Sequence, residues 1–162
     1  MIDIACIKLQ TKLLFVCLGN ICRSPAAEAV FLKLAKEKKI EDSFLVDSAG
    51  TGHWHVGKLA DSRMIATAKK RGVAINSIAR QIQKSDFNKF DYIITMDNDN
   101  FEVVREMSKN INAGTNIIPL LTYHTKSNLK EVPDPYYGGP DGFENVLDLL
   151  EEACINLINE LT

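Results

Sequence analysis

The sequence has few cysteines, no long apolar run and no marked excess of one charge. Its four cysteines lack the paired spacing of a small secreted domain, so we expect reduced thiols at Cys6, Cys17, Cys22 and Cys154. The formal net charge is -2, and the basic residues are interspersed with acidic ones, which argues against a nucleic-acid-binding face. No segment approaches the roughly 18 apolar residues that cross a membrane. These absences predict a cytoplasmic protein with no nucleic-acid or membrane partner.

The bulk composition is that of an ordinary globular protein. Of the 162 residues, 46% are hydrophobic and 25% are charged, and neither a repeat nor a low-complexity tract is present. A chain of this length fits one domain, 1–162. Residues 1–11 contain Asp3, no basic start and no sustained apolar core, so we expect an N-terminal extension rather than a signal peptide. The composition does not choose between a monomer and a weak dimer.

Strand-like and helix-like segments alternate along the chain. Short apolar runs predict four strands, at 12–17, 44–48, 90–96 and 116–120. Helical spacing follows the first three strands, and a last amphipathic helix has an apolar side formed by Phe143, Val146, Leu147, Leu150, Ile155 and Ile158. This alternation predicts a single α/β domain, with a four-stranded parallel sheet and helices on both faces. Ligands are expected at the carboxyl ends of the strands.

The first predicted strand ends at Cys17, in the stretch CLGNICRSP. Pro25 suits the first turn of a helix, where unpaired amide groups and the helix dipole attract an anion. Gly19 and Asn20 are residue types that tolerate the positive φ that a loop curled around a phosphate needs. The stretch therefore predicts a phosphate-binding loop between the first strand and the helix that follows it.

The side chains of this loop suit phosphoryl transfer. A thiolate at Cys17 would be stabilised by the helix N-terminus and a nearby guanidinium, which makes it a candidate nucleophile. Arg23 offers paired donors to phosphoryl oxygens, and Ser24 can donate a hydrogen bond to the sulfur when a phosphocysteine breaks down. A departing phenol also needs an acid. Asp134, which lies between two prolines in a turn-rich stretch, is the candidate.

The pattern Cys, five residues, Arg, Ser resembles the protein tyrosine phosphatase signature. The longer form VCLGNICRSP and the distal DPYYG resemble the low-molecular-weight protein tyrosine phosphatase family. The resemblance extends from Lys12 to the C-terminus. It implies hydrolysis of phosphotyrosine and aryl phosphates through a phosphocysteine at Cys17, with Asp134 as general acid and no metal or organic cofactor. Its partners would be tyrosine-phosphorylated proteins or peptides. The phosphate would be held by Arg23 and the loop residues Leu18, Gly19, Asn20, Ile21, Cys22 and Ser24.

The resemblance also implies the walls of the pocket. It places a variable substrate-recognition loop at Gly50 to Gly57, with Trp54 and Tyr136 as walls, and Tyr137 is a third candidate. His53 and His55 flank Trp54 in the sequence. Two histidines with one residue between them make a weak zinc signal, so we expect them to be surface residues rather than metal ligands.

Several residues around the loop have implied supporting roles. Cys22 is implied to be a redox partner that forms a reversible disulfide with Cys17 on oxidation. Ser48 is implied to support the loop through hydrogen bonds. Many members of the family carry a histidine where this sequence has Ser77, so we expect that network to be arranged differently here. Asp97 is either a helix N-cap or a residue near the active site, as both its neighbours and the resemblance suggest.

Three related functions compete with tyrosine phosphatase activity. Arsenate reductases of the same fold use two further cysteines on a mobile segment, and this chain has none between Cys22 and Cys154. Protein-arginine phosphatases carry Thr where this loop has Ile21, whose apolar side chain suits a flat phenol. A non-catalytic phosphotyrosine-binding module would lack the nucleophile or the acid, whereas Cys17 and Asp134 are both present.

Overall fold

A central parallel sheet organises the chain. The computed structural model describes residues 9–126, 128–139 and 141–162. Its strands are β1 (Thr11–Cys17), β2 (Phe44–Gly50), β3 (Tyr92–Thr95) and β4 (Asn116–Pro119), in the order β2-β1-β3-β4. Every pairing is parallel, so the predicted four-stranded parallel sheet is confirmed. Residues 1–8 of the predicted N-terminal extension, Cys6 among them, lie outside the described residues.

Helices cover both faces of the sheet. They are α1 (Arg23–Glu37), α2 (Ser62–Lys70), α3 (Asp86–Lys89), α4 (Asn98–Ser108) and α5 (Asp141–Leu161). Residues of α1, α2 and α5 form one buried cluster with Leu13 and Phe15, and residues of α3 and α4 form a second with Leu14 and Val16. Because successive strand side chains point to opposite faces, β1 is buried on both sides. In the described ranges, no helix combines the length and apolarity of a membrane span.

The structure corrects the sequence predictions for two helices. The helix α3 is a single turn of four residues, too short for its periodicity to be recognised in the sequence. In α5, Ile155 is 39% exposed, whereas Cys154 and Leu157 are fully buried. Because an α-helix repeats about every 3.6 residues, Leu150, Cys154 and Leu157 lie on one buried side of α5. Ile155 lies outside this side and faces solvent.

Side-chain caps fix where two helices begin at the carboxyl edge of the sheet. Asp61 accepts a hydrogen bond from Arg63 N at 2.9 Å and precedes α2. Asp97 and Asn100 form a capping box, in which each side chain accepts from the other residue's backbone N–H, at the start of α4. The predicted N-cap role of Asp97 is therefore confirmed.

Candidate active site

The carboxyl end of β1 places Cys17 at the start of a tight loop. Cys17 is only 2% exposed, and its Sγ lies 3.0 Å from Ser24 Oγ. The backbone N–H of Asn20 donates to the same sulfur at 3.3 Å. Both groups can stabilise a negative charge on the sulfur. The loop runs directly into α1, which begins at Arg23, and the first amides of a helix have no acceptor within it.

Asn20 and Gly19 give the loop its shape for different reasons. Asn20 has a φ of 57°, and its side chain donates to Ser24 Oγ at 2.8 Å and accepts from Arg80 N at 3.0 Å. Gly19, which the sequence also offered for a positive φ, does not have one. A Cβ at Gly19 would instead lie 2.9 Å from the ring of His55. Glycine is needed there for close approach and not for its backbone angles.

Three groups hold the side chain of Arg23. Its Nη1 donates to Asp97 Oδ2 at 2.5 Å and to Val132 O at 3.0 Å, and its Nη2 lies 3.4 Å from Asp134 Oδ2. Burial alone would lower the pKa of Arg23, but the charges of Cys17, Asp97 and Asp134 raise it above the ordinary value. The guanidinium is therefore fixed in position and remains charged, as a clamp on a phosphoryl group requires.

Asp97 joins the N-cap of α4 to this guanidinium. Its Oδ1 accepts from Asn100 N at 2.9 Å, while its Oδ2 binds Arg23. Val132 N donates to Met96 O at 2.7 Å, which brings the segment before Asp134 to the same place. Both sequence hypotheses for Asp97 therefore hold. No local pattern could have indicated its contact with Arg23, because the two residues are 74 positions apart.

Asp134 is held beside Arg23 but is not buried. Its Oδ1 accepts a hydrogen bond from Tyr136 N at 3.0 Å, and 38% of its side chain is exposed. This turn fixes the carboxyl group on the loop that follows β4. A carboxyl group that is both positioned and open to water can exchange a proton with solvent and with a bound phosphate ester.

A single pocket of about 350 Å³ collects these groups. Its lining consists of Cys17, Leu18, Gly19, Ile21, Cys22, Arg23, Trp54, His55, Asp134, Tyr136 and Tyr137. Trp54 is 62% exposed and Tyr137 is 91% exposed, whereas Tyr136 is 36% exposed, so the aromatic side chains form an open rim above the loop. The three predicted walls and the predicted catalytic side chains therefore meet in one cavity.

Sequence reasoning missed His55 as a pocket residue. It was expected only at the surface, yet its ring lies against Gly19 and 6.3 Å from the ring of Tyr136. Its place next to Trp54 in the sequence was the available signal. His53 is exposed and stacks on Trp54 at 5.6 Å. Within the described part of the chain, no group of three or more His, Cys, Asp or Glu side chains is placed to hold a metal ion.

The loop and pocket lie in a region that matches a known family. A family model described as low molecular weight phosphotyrosine protein phosphatase matches residues 12–162. The chain belongs to this family. The match begins at Lys12, where the sequence resemblance also begins, and it includes every residue that lines the pocket.

Relatives of this phosphatase share its sequence and its fold. A low molecular weight phosphotyrosine protein phosphatase from Schizosaccharomyces pombe is 44% identical over 151 residues, covering 93% of this chain and 96% of that protein. A crystal structure of a protein tyrosine phosphatase from Entamoeba histolytica matches with a TM-score of 0.90 and 48% identity, covering 94% and 97%. The crystal structure of a drosophila arginine phosphatase has a TM-score of 0.89 and 34% identity, covering 94% and 98%. The fold is thus shared by enzymes named for different substrates.

The second cysteine of the phosphatase loop differs from the first in its surroundings. Burial, and after it the charge of Asp61, raises the pKa of Cys22 to about 12. A thiol with that pKa carries almost no thiolate at neutral pH, so Cys22 is a poor nucleophile. Of the two thiols that line the pocket, Cys17 is the better candidate for attack on phosphorus.

Among the described contacts, the side chain of Ser48 bonds Glu28 in the second turn of α1 and no residue of the phosphate-binding loop. Its Oγ donates to Glu28 Oε2 at 2.9 Å, and Ser77 forms a second side-chain hydrogen bond with the same carboxyl group. The network around Ser77 thus links β2 to α1, while Asn20 is held by Arg80. Burial raises the pKa of Glu28 to about 7, and the nearby charge of Asp47 adds to the effect.

This carboxyl group makes the stability of the phosphatase depend on pH. The folded-state pKa of about 7 lies above the ordinary 4.5, so the folded protein retains a proton that the unfolded chain releases. The resulting stabilisation is fully present below pH 4.5 and is lost as the pH rises through 7. We expect Glu28→Gln, which carries no charge to desolvate, to increase the free energy of unfolding by about 1 to 3 kcal/mol at about pH 8.5.

Chemical denaturation at two pH values checks this expectation. The gain should nearly vanish at about pH 4, where Glu28 is largely protonated in both the folded and the unfolded protein. Glu37→Gln is the matched control, because Glu37 is an exposed carboxylate on the same helix and pairs only with Lys33 at 3.5 Å in the described structure. A gain for Glu28→Gln that is the same at both pH values would contradict the assigned role of the carboxyl charge.

Proposed function

We propose that this phosphatase hydrolyses phosphotyrosine in proteins or peptides, and aryl phosphates, through a phosphocysteine on Cys17. The observation that carries the proposal is the convergence of Cys17, Arg23 and Asp134 in one pocket. The thiol lies at the start of a loop whose amides lead into a helix N-terminus. The guanidinium and the carboxyl group come from separate segments and meet beside it, as an in-line displacement requires.

The first step transfers the phosphoryl group to sulfur. The Cys17 thiolate attacks phosphorus, the S–P bond forms and the bond from phosphorus to the phenolic oxygen breaks. Asp134 donates its proton to that oxygen as it leaves. Arg23 and the amides of the loop bind the equatorial phosphoryl oxygens and stabilise the charge that develops on them.

The second step releases phosphate. The Asp134 carboxylate accepts a proton from water, the water oxygen bonds to phosphorus and the S–P bond breaks. The hydroxyl of Ser24, 3.0 Å from Cys17 Sγ, turns from its acceptor Ala49 O and donates to the departing thiolate. A residue of the chain handles each proton transfer and each developing charge, so these steps invoke no cofactor. Because the first step needs a thiolate together with a protonated Asp134, activity should be highest on the acidic side of neutrality.

Substrate binding would change the hydrogen-bond partner of Arg23 Nη2. Arg23 Nη2 faces Asp134 Oδ2 at 3.4 Å, while Nη1 is held by Asp97 and Val132. A phosphate dianion is a stronger acceptor for Nη2 than a single carboxylate oxygen. Its arrival would therefore free Asp134 to turn toward the leaving oxygen while Asp97 keeps the guanidinium in place.

The apolar lining of the pocket favours a flat phenol over a guanidino group. Ile21 is 9% exposed and lines the cavity together with Trp54 and Tyr136. The structural likeness to an arginine phosphatase makes phosphoarginine the substrate to compare. The deciding experiment is hydrolysis of a phosphotyrosine peptide and a phosphoarginine peptide of the same sequence, side by side. Faster phosphotyrosine turnover supports the proposal, faster phosphoarginine turnover overturns the substrate, and binding without turnover of either overturns the chemistry.

Removal of the general acid should slow the reaction most when the leaving group must be protonated. We expect Asp134→Asn to slow phenol release in the first turnover of phosphotyrosine by about 10² to 10³-fold. The loss should be far smaller for a strongly acidic phenol such as dinitrophenyl phosphate, which leaves without protonation. Rapid-mixing kinetics with both substrates measures the difference, and equal losses would contradict the acid role. Asp42→Asn is the matched control, because Asp42 precedes β2 at the opposite, amino edge of the sheet.

We further propose that the two pocket cysteines form a reversible disulfide. Peroxide oxidises the Cys17 thiolate to a sulfenic acid, which removes the Cys17 charge that contributes to the raised pKa of Cys22. The Cys22 sulfur then attacks the oxidised sulfur, the S–S bond forms, the S–O bond breaks and water is released. Both thiols are free and line the same pocket. After mild peroxide treatment, we expect mass spectrometry to detect a peptide that links Cys17 to Cys22, with activity restored by a thiol reductant. In Cys22→Ser the lost activity should not return. Overoxidised Cys17 alone, with no linked peptide from the unmodified chain, would exclude the mechanism.

This redox chemistry fits a reducing compartment. The three described cysteines, Cys17, Cys22 and Cys154, are all free, as is usual for proteins of the cytoplasm. We therefore place the enzyme in the cytoplasm, with tyrosine-phosphorylated proteins as its partners.

A further inference from the structure

A groove lies between α1 and the segment 74–77, away from the pocket described above. It has a volume of about 280 Å³. Pro25, Ala29 and Leu32 line it on the helix side with apolar surface, while Glu28 and Ser77 contribute polar groups. The volume is close to the lower end of the range found for ligand sites, roughly 300 to 1,000 Å³.

The carboxyl group of Glu28 has no cation of its own. Within the described residues it takes part in no salt bridge, and its hydrogen-bond partners are the hydroxyls of Ser48 and Ser77. Arg80 is the nearby base, and its charge lowers the pKa of Glu28 less than the serine hydrogen bonds do. Its guanidinium is instead bonded to Asp86 at 3.0 Å and Asp47 at 3.0 to 3.1 Å. The groove therefore contains a partly buried carboxyl group that Arg80 does not neutralise.

We propose that this groove is a binding site for a small organic cation with a flat, apolar body and an amidinium or guanidinium head. The head would pair with Glu28, since planar paired donors match a carboxylate. The body would pack on the apolar helix surface of Pro25, Ala29 and Leu32. The site is distinct from the phosphate pocket and does not depend on the proposed function.

A series of hydrogen bonds connects the groove to the active site. Glu28 accepts from Ser48 on β2, and the next residue of that strand, Ala49, accepts through its carbonyl from Ser24 Oγ at 3.3 Å. Ser24 in turn contacts the sulfur of Cys17. A bound cation would keep Glu28 ionised and remove the cost of its burial, which favours the folded protein at a pH where the carboxyl group would otherwise be an unpaired charge.

Benzamidine and benzamide form a matched pair of probes, because they have the same shape and only benzamidine is charged. Isothermal titration of the full chain at about pH 8.5 should show weak binding of benzamidine, with a dissociation constant of about 1 mM, and no binding of benzamide. We expect Glu28→Gln to weaken benzamidine binding by about tenfold or more. Ser77→His should also weaken it, because an imidazole at this position fills the groove beside Glu28.

The same titration separates this site from the phosphate pocket. Glu28→Gln leaves every residue of that pocket unchanged, so benzamidine bound there would bind the variant as well as the original chain. Equal affinity for both proteins would overturn the proposal, as would equal binding of benzamide or no binding of benzamidine. Weaker binding at about pH 5, where Glu28 takes up a proton, supports it. The readout is heat of binding and not turnover, so failure here leaves the proposed phosphatase activity untouched.

Discussion

Cys17→Ser is expected to abolish turnover of phosphotyrosine while the protein still folds and binds phosphate. A serine hydroxyl is almost un-ionised at neutral pH and is a far weaker nucleophile than a thiolate, so we expect kcat to fall by about 10⁴-fold or more. The substitution is nearly isosteric at a buried position that is 2% exposed, and Arg23 with its three contacts is unchanged. Initial rates and isothermal titration with inorganic phosphate measure the two effects separately.

The matched control for this substitution is in the same loop. Cys22→Ser makes the same change of sulfur to oxygen in a residue that also lines the pocket, yet the pKa of Cys22, about 12, leaves it protonated. Its loss of kcat should therefore be much smaller than that of Cys17→Ser. A Cys17→Ser enzyme that keeps turnover within about tenfold of the original would exclude a covalent intermediate on Cys17. Loss of phosphate binding in the same variant would instead indicate that the loop had lost its shape.

The parts of this site that the sequence predicted are those with local causes. Cys17 follows a buried strand, Asn20 can adopt a positive φ, and Pro25 stands in the first turn of a helix. Each of these properties belongs to a residue and its immediate neighbours. The four-stranded sheet was predictable for the same reason, because alternating strands and helices restrict the chain to a parallel arrangement.

The parts that could not be predicted are contacts between distant segments. Asp97 reaches Arg23 across 74 residues, and Arg80 N donates to the Asn20 side chain across 60. The first contact arises because parallel strands bring their carboxyl ends to the same edge of the sheet. The second arises because residues 80–82 pair with Gly50 at the end of β2. A helix cap explains Asp97 at the level of local sequence, and the resemblance placed it near the active site without indicating Arg23 as its partner. His55 was missed because its contact with Gly19 depends on how a loop folds over another loop.

The fixed position of Arg23 is the feature on which the proposed chemistry depends most after the nucleophile. Asp97 and Val132 hold its Nη1 edge, which leaves Nη2 directed to Asp134 and available to a phosphoryl oxygen. We expect Arg23→Lys to lower kcat/KM for phosphotyrosine by about 10³-fold, because an ammonium group cannot bond Asp97 and two phosphoryl oxygens in one plane. Steady-state kinetics, together with titration of inorganic phosphate, measures the loss of transition-state and ground-state binding.

An arginine-to-lysine change outside the pocket is the control for Arg23→Lys. The size of the loss in Arg23→Lys then shows whether catalysis needs the paired donors of the guanidinium or only its positive charge. Arg105→Lys is the control, because Arg105 is an exposed residue of α4 that pairs with Glu102 at 2.8 Å, and it should leave kcat/KM unchanged. Since Arg23→Lys keeps the positive charge, a loss of less than about tenfold would mean that charge alone suffices and that paired donors are unnecessary. A large loss of kcat/KM with only a modest loss of phosphate affinity would show that the guanidinium acts mainly on the transition state, where the equatorial oxygens carry the developing charge.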